Sequence, residues 1–326
     1  MRTRTRESGY HLSNIEQGAV GSSLVIPILR PDDHQDARDI PGTMLWHGDA
    51  EQLLDALPKR PIFDLVFTSP PYNIGKGYEQ RQRIDQYIAW QERMIQKTVE
   101  RLKPSGSMCW QTGNFLERRK GGRSSTILPL DIVFHDLFRS AGMKLRNRLI
   151  WHFGHGLHCS YRFSGRYEVV MWYTKTDDYT FNLNAIRSPQ KYPGKRYFKG
   201  PKQGQYSCNP IGKNPEDVWD IPNVKSNHVE KTIHPCQFPV ALVDRFVLAL
   251  TNRGGLVFDP FAGVGSAGVA ALIHGRSFWG CELDSRYIEV AKKRMEDAAN
   301  GKALYRPFAK PVYDHTRSKL SRKPNR

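Results

Sequence analysis

The run Phe63-Asp64-Leu65-Val66-Phe67 is short and apolar, and Thr68-Ser69-Pro70-Pro71-Tyr72-Asn73 follows it directly. Such a run reads as a strand buried on both faces, the condition of a parallel sheet covered by helices. The two prolines fix φ and remove two amide donors, so the chain leaves the strand in a rigid turn that cannot wind into a helix, with the Ser69 and Pro70 carbonyls facing outward. Ligands of open α/β sheets bind at such carboxyl ends. Acceptors from Ser69 and Pro70 beside the Tyr72 ring suit a planar base with an exocyclic amine, and they point to chemistry on an amino group. An ordinary proline-rich strand exit is the alternative that the tetrapeptide alone leaves open.

The surrounding chain has an α/β rhythm from Thr43 onward. Met44–His47 reads as a strand, and Gly48-Asp49-Ala50 leads into a helix through Leu53, Leu54 and Leu57 that Pro58 stops. Asp49 stands where an N-cap belongs. A helix over about 85–102, a strand over 107–111 and a helix over about 128–141 continue the alternation, and 145–153 and 167–174 read as two adjacent strands. A second anchor is Leu256-Val257-Phe258-Asp259-Pro260-Phe261-Ala262-Gly263-Val264-Gly265-Ser266, a strand ending in an acid and a Gly-x-Gly that enters a helix. Strand Phe278–Cys281 follows, ending in Glu282, an acid placed to accept from ribose hydroxyls. Gly268 supplies a third glycine, so this half by itself also admits a dehydrogenase.

The formal charge of +17 is spread through loops and favours a polyanionic partner, with nucleic acid the leading candidate. Lys76 sits in the glycine-bearing loop after Tyr72; Arg119, Lys120 and Arg123 fall in a basic loop, and Arg162 and Arg166 lie between the two adjacent strands. Over 175–231 the rhythm stops, and Lys191, Lys195, Arg196 and Lys199 alternate with Tyr192, Tyr197, Phe198 and Tyr206, the composition of a nucleic-acid surface built from loops. His152, His155, His158 and Cys159 invite a metal reading, but glycines interrupt them and no second ligand pair stands at the usual spacing; contact with nucleic acid is expected of this loop instead. Five scattered cysteines form no Cys-x-x-Cys pair, which predicts reduced thiols and a cytoplasmic protein. No apolar run approaches a membrane span of about 20 residues, and the basic start lacks the apolar core of a secretion signal.

Ser69-Pro70-Pro71-Tyr72, together with Asp259-Pro260-Phe261-Ala262-Gly263-Val264-Gly265, resembles the paired motifs of the DNA amino-methyltransferases, which methylate N6 of adenine or N4 of cytosine from S-adenosylmethionine. The resemblance covers about residues 43–298, and the motif order, catalytic first and cofactor loop last, is that of the circularly permuted β group of restriction-modification enzymes. It implies an α/β, Rossmann-like methyltransferase sheet with helices on both faces. The expected organisation is an extension over 1–42, a catalytic half over 43–174, an inserted target-recognition region over 175–232, a cofactor-binding half over 233–299 and a basic tail over 300–326.

By that resemblance Ser69, Pro70, Pro71 and Tyr72 are catalytic. Asp49, Gln237, Asp259, Phe261, Gly263, Gly265, Ser266 and Glu282 hold S-adenosylmethionine, and no metal is required. The partner is double-stranded DNA, from which the target base is flipped out, in a bacterial or archaeal cytoplasm at the nucleoid. A cognate restriction endonuclease acting on the same site without a stable complex is also implied. Phe238 stands where the family often has a basic residue. Serine instead of aspartate at position 69 is the form associated with N4-cytosine enzymes, whereas Asn73-Ile74-Gly75 also occurs among adenine enzymes. Pro235-Cys236 resembles the nucleophile dipeptide of the cytosine-C5 enzymes, but it lies upstream of the glycine loop, not downstream. A DNA-binding protein that kept the fold and lost catalysis is the reading from another class.

Overall fold

The computed structural model describes residues 24–31, 42–77, 79–118, 125–156 and 158–314. In chain order these form β1 (Ile28–Leu29), β2 (Met44–His47), α1 (Ala50–Ala56), β3 (Phe63–Thr68), α2 (Ile84–Arg101), β4 (Leu102–Thr112), β5 (Asn114–Arg118), β6 (Ser125–Pro129) and α3 (Leu130–Ser140). They continue with β7 (Lys144–His152), β8 (Tyr167–Thr174), α4 (Leu183–Ile186), β9 (Val218–Asp220), α5 (Val240–Leu250), β10 (Leu256–Asp259), α6 (Ser266–Ile273), β11 (Ser277–Glu282) and α7 (Ser285–Ala299).

Nine strands make one sheet in the order β1-β2-β11-β10-β3-β4-β8-β7-β9. Along that order every pair from β1 to β4 is parallel, and β8 runs antiparallel to both of its neighbours. The short apolar runs fit this arrangement because both faces are covered. On one face α5, α6 and α7 pack with Leu65, Phe67 and Val257; on the other α1, α2 and α3 pack with Phe63, Val66 and Phe258. Strict alternation would put Phe63 on the same face as Leu65, but a register shift between them turns Phe63 onto Phe258, the rings stacking at 4.3 Å. Asp64 is left at the edge of the core, where Oδ2 accepts from Leu256 N and Lys103 Nζ at 2.8 Å each.

The chain runs from β10 through α6 to β11 in one direction across the sheet, and from β3 through α2 to β4 in the other. β10 and β3 are therefore neighbours at the topological switch, the position where such sheets open a crevice beyond their carboxyl ends. The two motifs singled out in the sequence leave those two strands.

Several segments differ from expectation. Within the expected 1–42 extension, Ile28–Leu29 joins the sheet in parallel to β2, with Ile26 fully buried in the core. Val218–Asp220, in a stretch without α/β rhythm, joins the sheet in parallel to β7, with Trp219 buried against Phe246 at 5.0 Å. Three residues are too few to show a period, and the free edge of β7 selects them. The flanks of the basic loop pair as the hairpin β5–β6 in place of a plain loop, while Arg119, Lys120 and Arg123 lie outside the described residues.

Candidate active site

A cleft of about 420 Å³ opens over the switch, lined from β3 by Ser69, Pro70, Pro71 and Tyr72, and from β10 by Pro260, Phe261 and Gly263. Thr68, the last residue of β3, donates from Oγ1 to Asp259 Oδ1 at 2.6 Å and ties the two strand ends together. That oxygen also accepts from Phe261 N at 3.0 Å, while Oδ2 is buried without a hydrogen-bond partner. Burial pushes the Asp259 carboxyl up to about 7 although both bonds pull it down.

The proline turn is clamped from several sides. The Pro71 carbonyl accepts from Tyr87 Oη at 2.6 Å, and the Glu79 carboxylate accepts from Asn73 N and Ile74 N at 2.8 Å each. Asn73 has a φ of 59°, a left-handed conformation that asparagine tolerates, and its side chain bonds both N and O of Gln82. Ser69 Oγ–H donates to Tyr72 Oη at 2.9 Å, and Tyr72 Oη–H donates in turn to Glu168 Oε2 at 3.0 Å. Gln111 Nε2 donates to the same carboxylate oxygen at 2.6 Å. Burial raises the Glu168 carboxyl above the ordinary glutamate range, against the pull of Gln111 and Tyr72. Glu168 and Gln111 both line the cleft, and neither was singled out from the sequence.

On the opposite wall, Asp49 caps α1, its Oδ1 accepting from Glu51 N at 2.8 Å and Gln52 N at 3.1 Å, and it lines the cleft as well. The N-cap role and a ligand-facing role therefore coexist. Gly263 and Gly265 take φ of 53° and 74°, and Gly263 N donates to Glu282 Oε2 at 2.9 Å. Glu282 Oε1 accepts from Asp284 N at 2.8 Å; burial still leaves its carboxyl raised. Ser266 begins α6 at the cleft, and its Oγ accepts from Arg294 at 3.3 Å. The Gln237 amide is engaged with Thr232 and with the Glu230 carbonyl, at 2.8 Å each, so it shapes the turn that carries Cys236 into the cleft. Beside it His234, packed edge-on against Tyr287 at 4.6 Å, is pushed down to about 4, first by burial and then by Lys231.

Of the cations expected to meet nucleic acid, Lys76 lines the cleft. Arg162 and Arg166 lie in the loop joining β7 to β8 beside the fully exposed Phe163. Lys191, Lys195, Arg196 and Lys199 are all exposed, away from the cleft lining, with Arg196 over the Tyr206 ring at 4.1 Å. His152 bonds Asp220 at 2.5 Å. No group of three or more His, Cys, Asp or Glu side chains that could hold a metal ion occurs among the described residues.

This architecture agrees with comparisons against known proteins. The family model described as DNA methylase matches residues 63–293, which takes in both strand-end motifs and most of the chain. The chain belongs to the DNA methylase family of N6-adenine and N4-cytosine amino-methyltransferases. Type II methyltransferase M.BglII of Bacillus subtilis is 43% identical over 247 residues, 76% of this chain and 67% of that protein. DNA adenine methyltransferase YhdJ of Escherichia coli K12 is 32% identical over 264 residues, 78% of this chain and 83% of that one. The crystal structure of TTHA0409 from Thermus thermophilus, complexed with S-adenosyl-L-methionine, superposes with a TM-score of 0.54 at 27% identity, covering 79% of this DNA methylase and 96% of that chain.

Proposed function

We propose that this DNA methylase transfers a methyl group to the N4 amine of cytosine in duplex DNA, by flipping the base out and methylating it directly. The observation that carries the reading is the convergence of Ser69-Pro70-Pro71-Tyr72 and the Gly263–Gly265 loop on one cleft at the switch between β3 and β10. S-adenosylmethionine supplies an electrophilic methyl on a sulfonium. The lining suits it: Asp49 and Glu282 offer carboxylate acceptors at adjacent strand ends, the left-handed Gly263 brings backbone close without a Cβ, and Phe261 offers an aromatic wall, while Gly265, outside the lining, lets the start of α6 pack against Ala291 of α7. Asp259, Ser266 and Gln237 hold the shape of that wall through the bonds described above.

The target base leaves the stack at a cost of a few kcal/mol and rests on Tyr72, an aromatic contact worth about 1–3 kcal/mol. Ser69 Oγ and the Pro70 carbonyl accept from its amine and turn the lone pair toward the methyl. Orientation then carries most of the acceleration. A neutral hydroxyl at position 69 supports cytosine, by the family association of serine there. The kinship with a protein named DNA adenine methyltransferase favours N6 of adenine as the second reading. The enzyme's setting is the cytoplasm at the nucleoid, paired with a nuclease that reads the same site and forms no stable complex with it; no helix among the described residues is long and apolar enough to cross a membrane.

The test is incubation with tritiated S-adenosylmethionine and unmethylated duplex DNA, followed by nucleoside digestion and mass spectrometry. N4-methylcytosine is expected. N6-methyladenine keeps the mechanism and overturns the base; 5-methylcytosine moves the chemistry to Cys236; cofactor binding without any product leaves a DNA-binding protein that has lost catalysis.

A further inference from the structure

Methyl transfer leaves the amine with one proton too many, and the structure offers a path for it. An amine that has gained a methyl while keeping both hydrogens is cationic, and a base seated in the cleft has protein groups, not bulk water, against its amine. The group that meets it, Ser69, is hydrogen-bonded into the protein: Ser69 Oγ–H to Tyr72 Oη at 2.9 Å, Tyr72 Oη–H to Glu168 Oε2 at 3.0 Å. Both donors point the same way, from the amine toward the carboxylate.

We propose that Ser69, Tyr72 and Glu168 form a proton relay that drains the methylated amine, with the Glu168 carboxylate as its end. The proposal rests on the reading of Ser69 and Tyr72 as the amine-binding pair. In one concerted shift the amine N–H proton passes to Ser69 Oγ, the Ser69 proton to Tyr72 Oη, and the Tyr72 proton to Glu168 Oε2. Two O–H bonds are exchanged, one N–H bond is lost and one carboxyl O–H bond is gained. Ser69 and Tyr72 end neutral, the product is neutral, and Glu168 is protonated until the cleft reopens to water. Before transfer the same chain has a second effect: the carboxylate polarises Tyr72 and, through it, makes Ser69 Oγ a stronger acceptor for the amine. Glu168 never touches the amine, so it is a positioning residue as well as the proton's destination.

The surroundings suit this task. Gln111 Nε2, donating at 2.6 Å, holds the carboxylate oxygen in line and favours its charged form, while burial holds the carboxyl above the ordinary range. The groups against Glu168 are Tyr72 from the β3 exit, Gln111 from β4, and Trp151, which pairs with Glu168 from β7; the neighbouring His152 is engaged with Asp220. Lys76 and His234 are further ionisable groups of the cleft.

The experiment is single-turnover methylation of duplex DNA across pH, on full-length enzyme. Wild type is expected to show an acid limb with its midpoint above the ordinary carboxylate range. Glu168→Gln is expected to slow transfer by about 10²-fold, as loss of a general base does, and to flatten that limb. Tyr72→Phe keeps the ring and breaks the relay; it should match Glu168→Gln, and the double variant should be no slower than either. Without cofactor or DNA, the infrared difference between wild type and Glu168→Gln should contain a carboxyl band titrating at the midpoint of the acid limb. A wild-type rate in either single variant, or slowed transfer with the acid limb intact, overturns the relay. Absence of methylated product from wild type strikes the proposed function instead, which separates the two failures.

Discussion

Asp259 shows how a single side chain can set the pH behaviour of the fold. Its pKa is raised to about 7 by burial, so the carboxyl favours the native state while protonated: the contribution is complete below about pH 4 and is lost as pH rises through about 7. Asp259→Asn keeps an oxygen for Thr68 and Phe261 and carries no charge. Urea unfolding of apo protein should therefore find the variant gaining on wild type between pH 5 and 8; parallel curves across that range would mean the carboxyl is not held protonated. Tyr72 is expected to act through its ring as well as its hydroxyl. Tyr72→Ala should lose more activity than Tyr72→Phe, with part of the excess restored on a mismatched target that flips easily, and full activity of the alanine variant would refute stacking. Part of the cleft lining was legible in the sequence, because Ser69, Tyr72, Gly263 and Glu282 stand inside contiguous motifs at strand ends. Glu168 was not: it meets Tyr72 from 96 residues away, on a strand whose pattern reads only as apolar.

At the scale of elements, the start of α6 is the most constrained joint. Gly265 has a φ of 74°, and a Cβ there would lie 3.0 Å from the Ala291 Cβ on α7. Gly265→Val therefore combines left-handed strain of about 1–2 kcal/mol with a clash between two packed helices. A melting temperature lower by several degrees and weaker S-adenosylmethionine binding in calorimetry are expected; unchanged values for both would show that the loop adapts. The alternation of short apolar runs and helices was legible because β3, β10 and β11 are buried on both faces and α1, α2, α3 and α7 have polar outer faces; α6 has no such face, and its glycine-bearing entry marks it instead. β9 was not legible, since its pairing depends on the open edge of β7 and not on any period of its own. The hairpin β5–β6 was hidden for a related reason: its strands pair only with each other and flank a stretch dominated by charge, so no core-facing pattern marks them.

For the whole molecule, the positive charge divides into two populations with different work. Some cations are built into the fold: Arg101 is buried and donates to the Leu57 and Lys97 carbonyls, Arg276 bonds Thr251, and Arg245 lies over the Phe308 ring at 3.4 Å. Their removal would unfold or loosen the protein without informing on DNA. The exposed cations of the 187–213 segment are different, because that segment is held by its own backbone pairings, Ser188 with Lys213 and Arg196 with Tyr206, and its charges are not needed to close a core. Replacing Lys191, Lys195, Arg196 and Lys199 together with alanine should leave S-adenosylmethionine affinity unchanged, since none of the four lines the cleft. DNA binding should weaken, and the slope of log K against log salt should become shallower by about 0.9 for each phosphate contact removed, or roughly 3–4 in all if each cation meets one phosphate. Fluorescence titration of a labelled duplex between low and physiological salt measures this. A weaker affinity with an unchanged slope would mean that the segment contacts bases, not phosphates; an unchanged affinity would move the DNA path away from it, toward the Arg162–Arg166 loop beside Phe163.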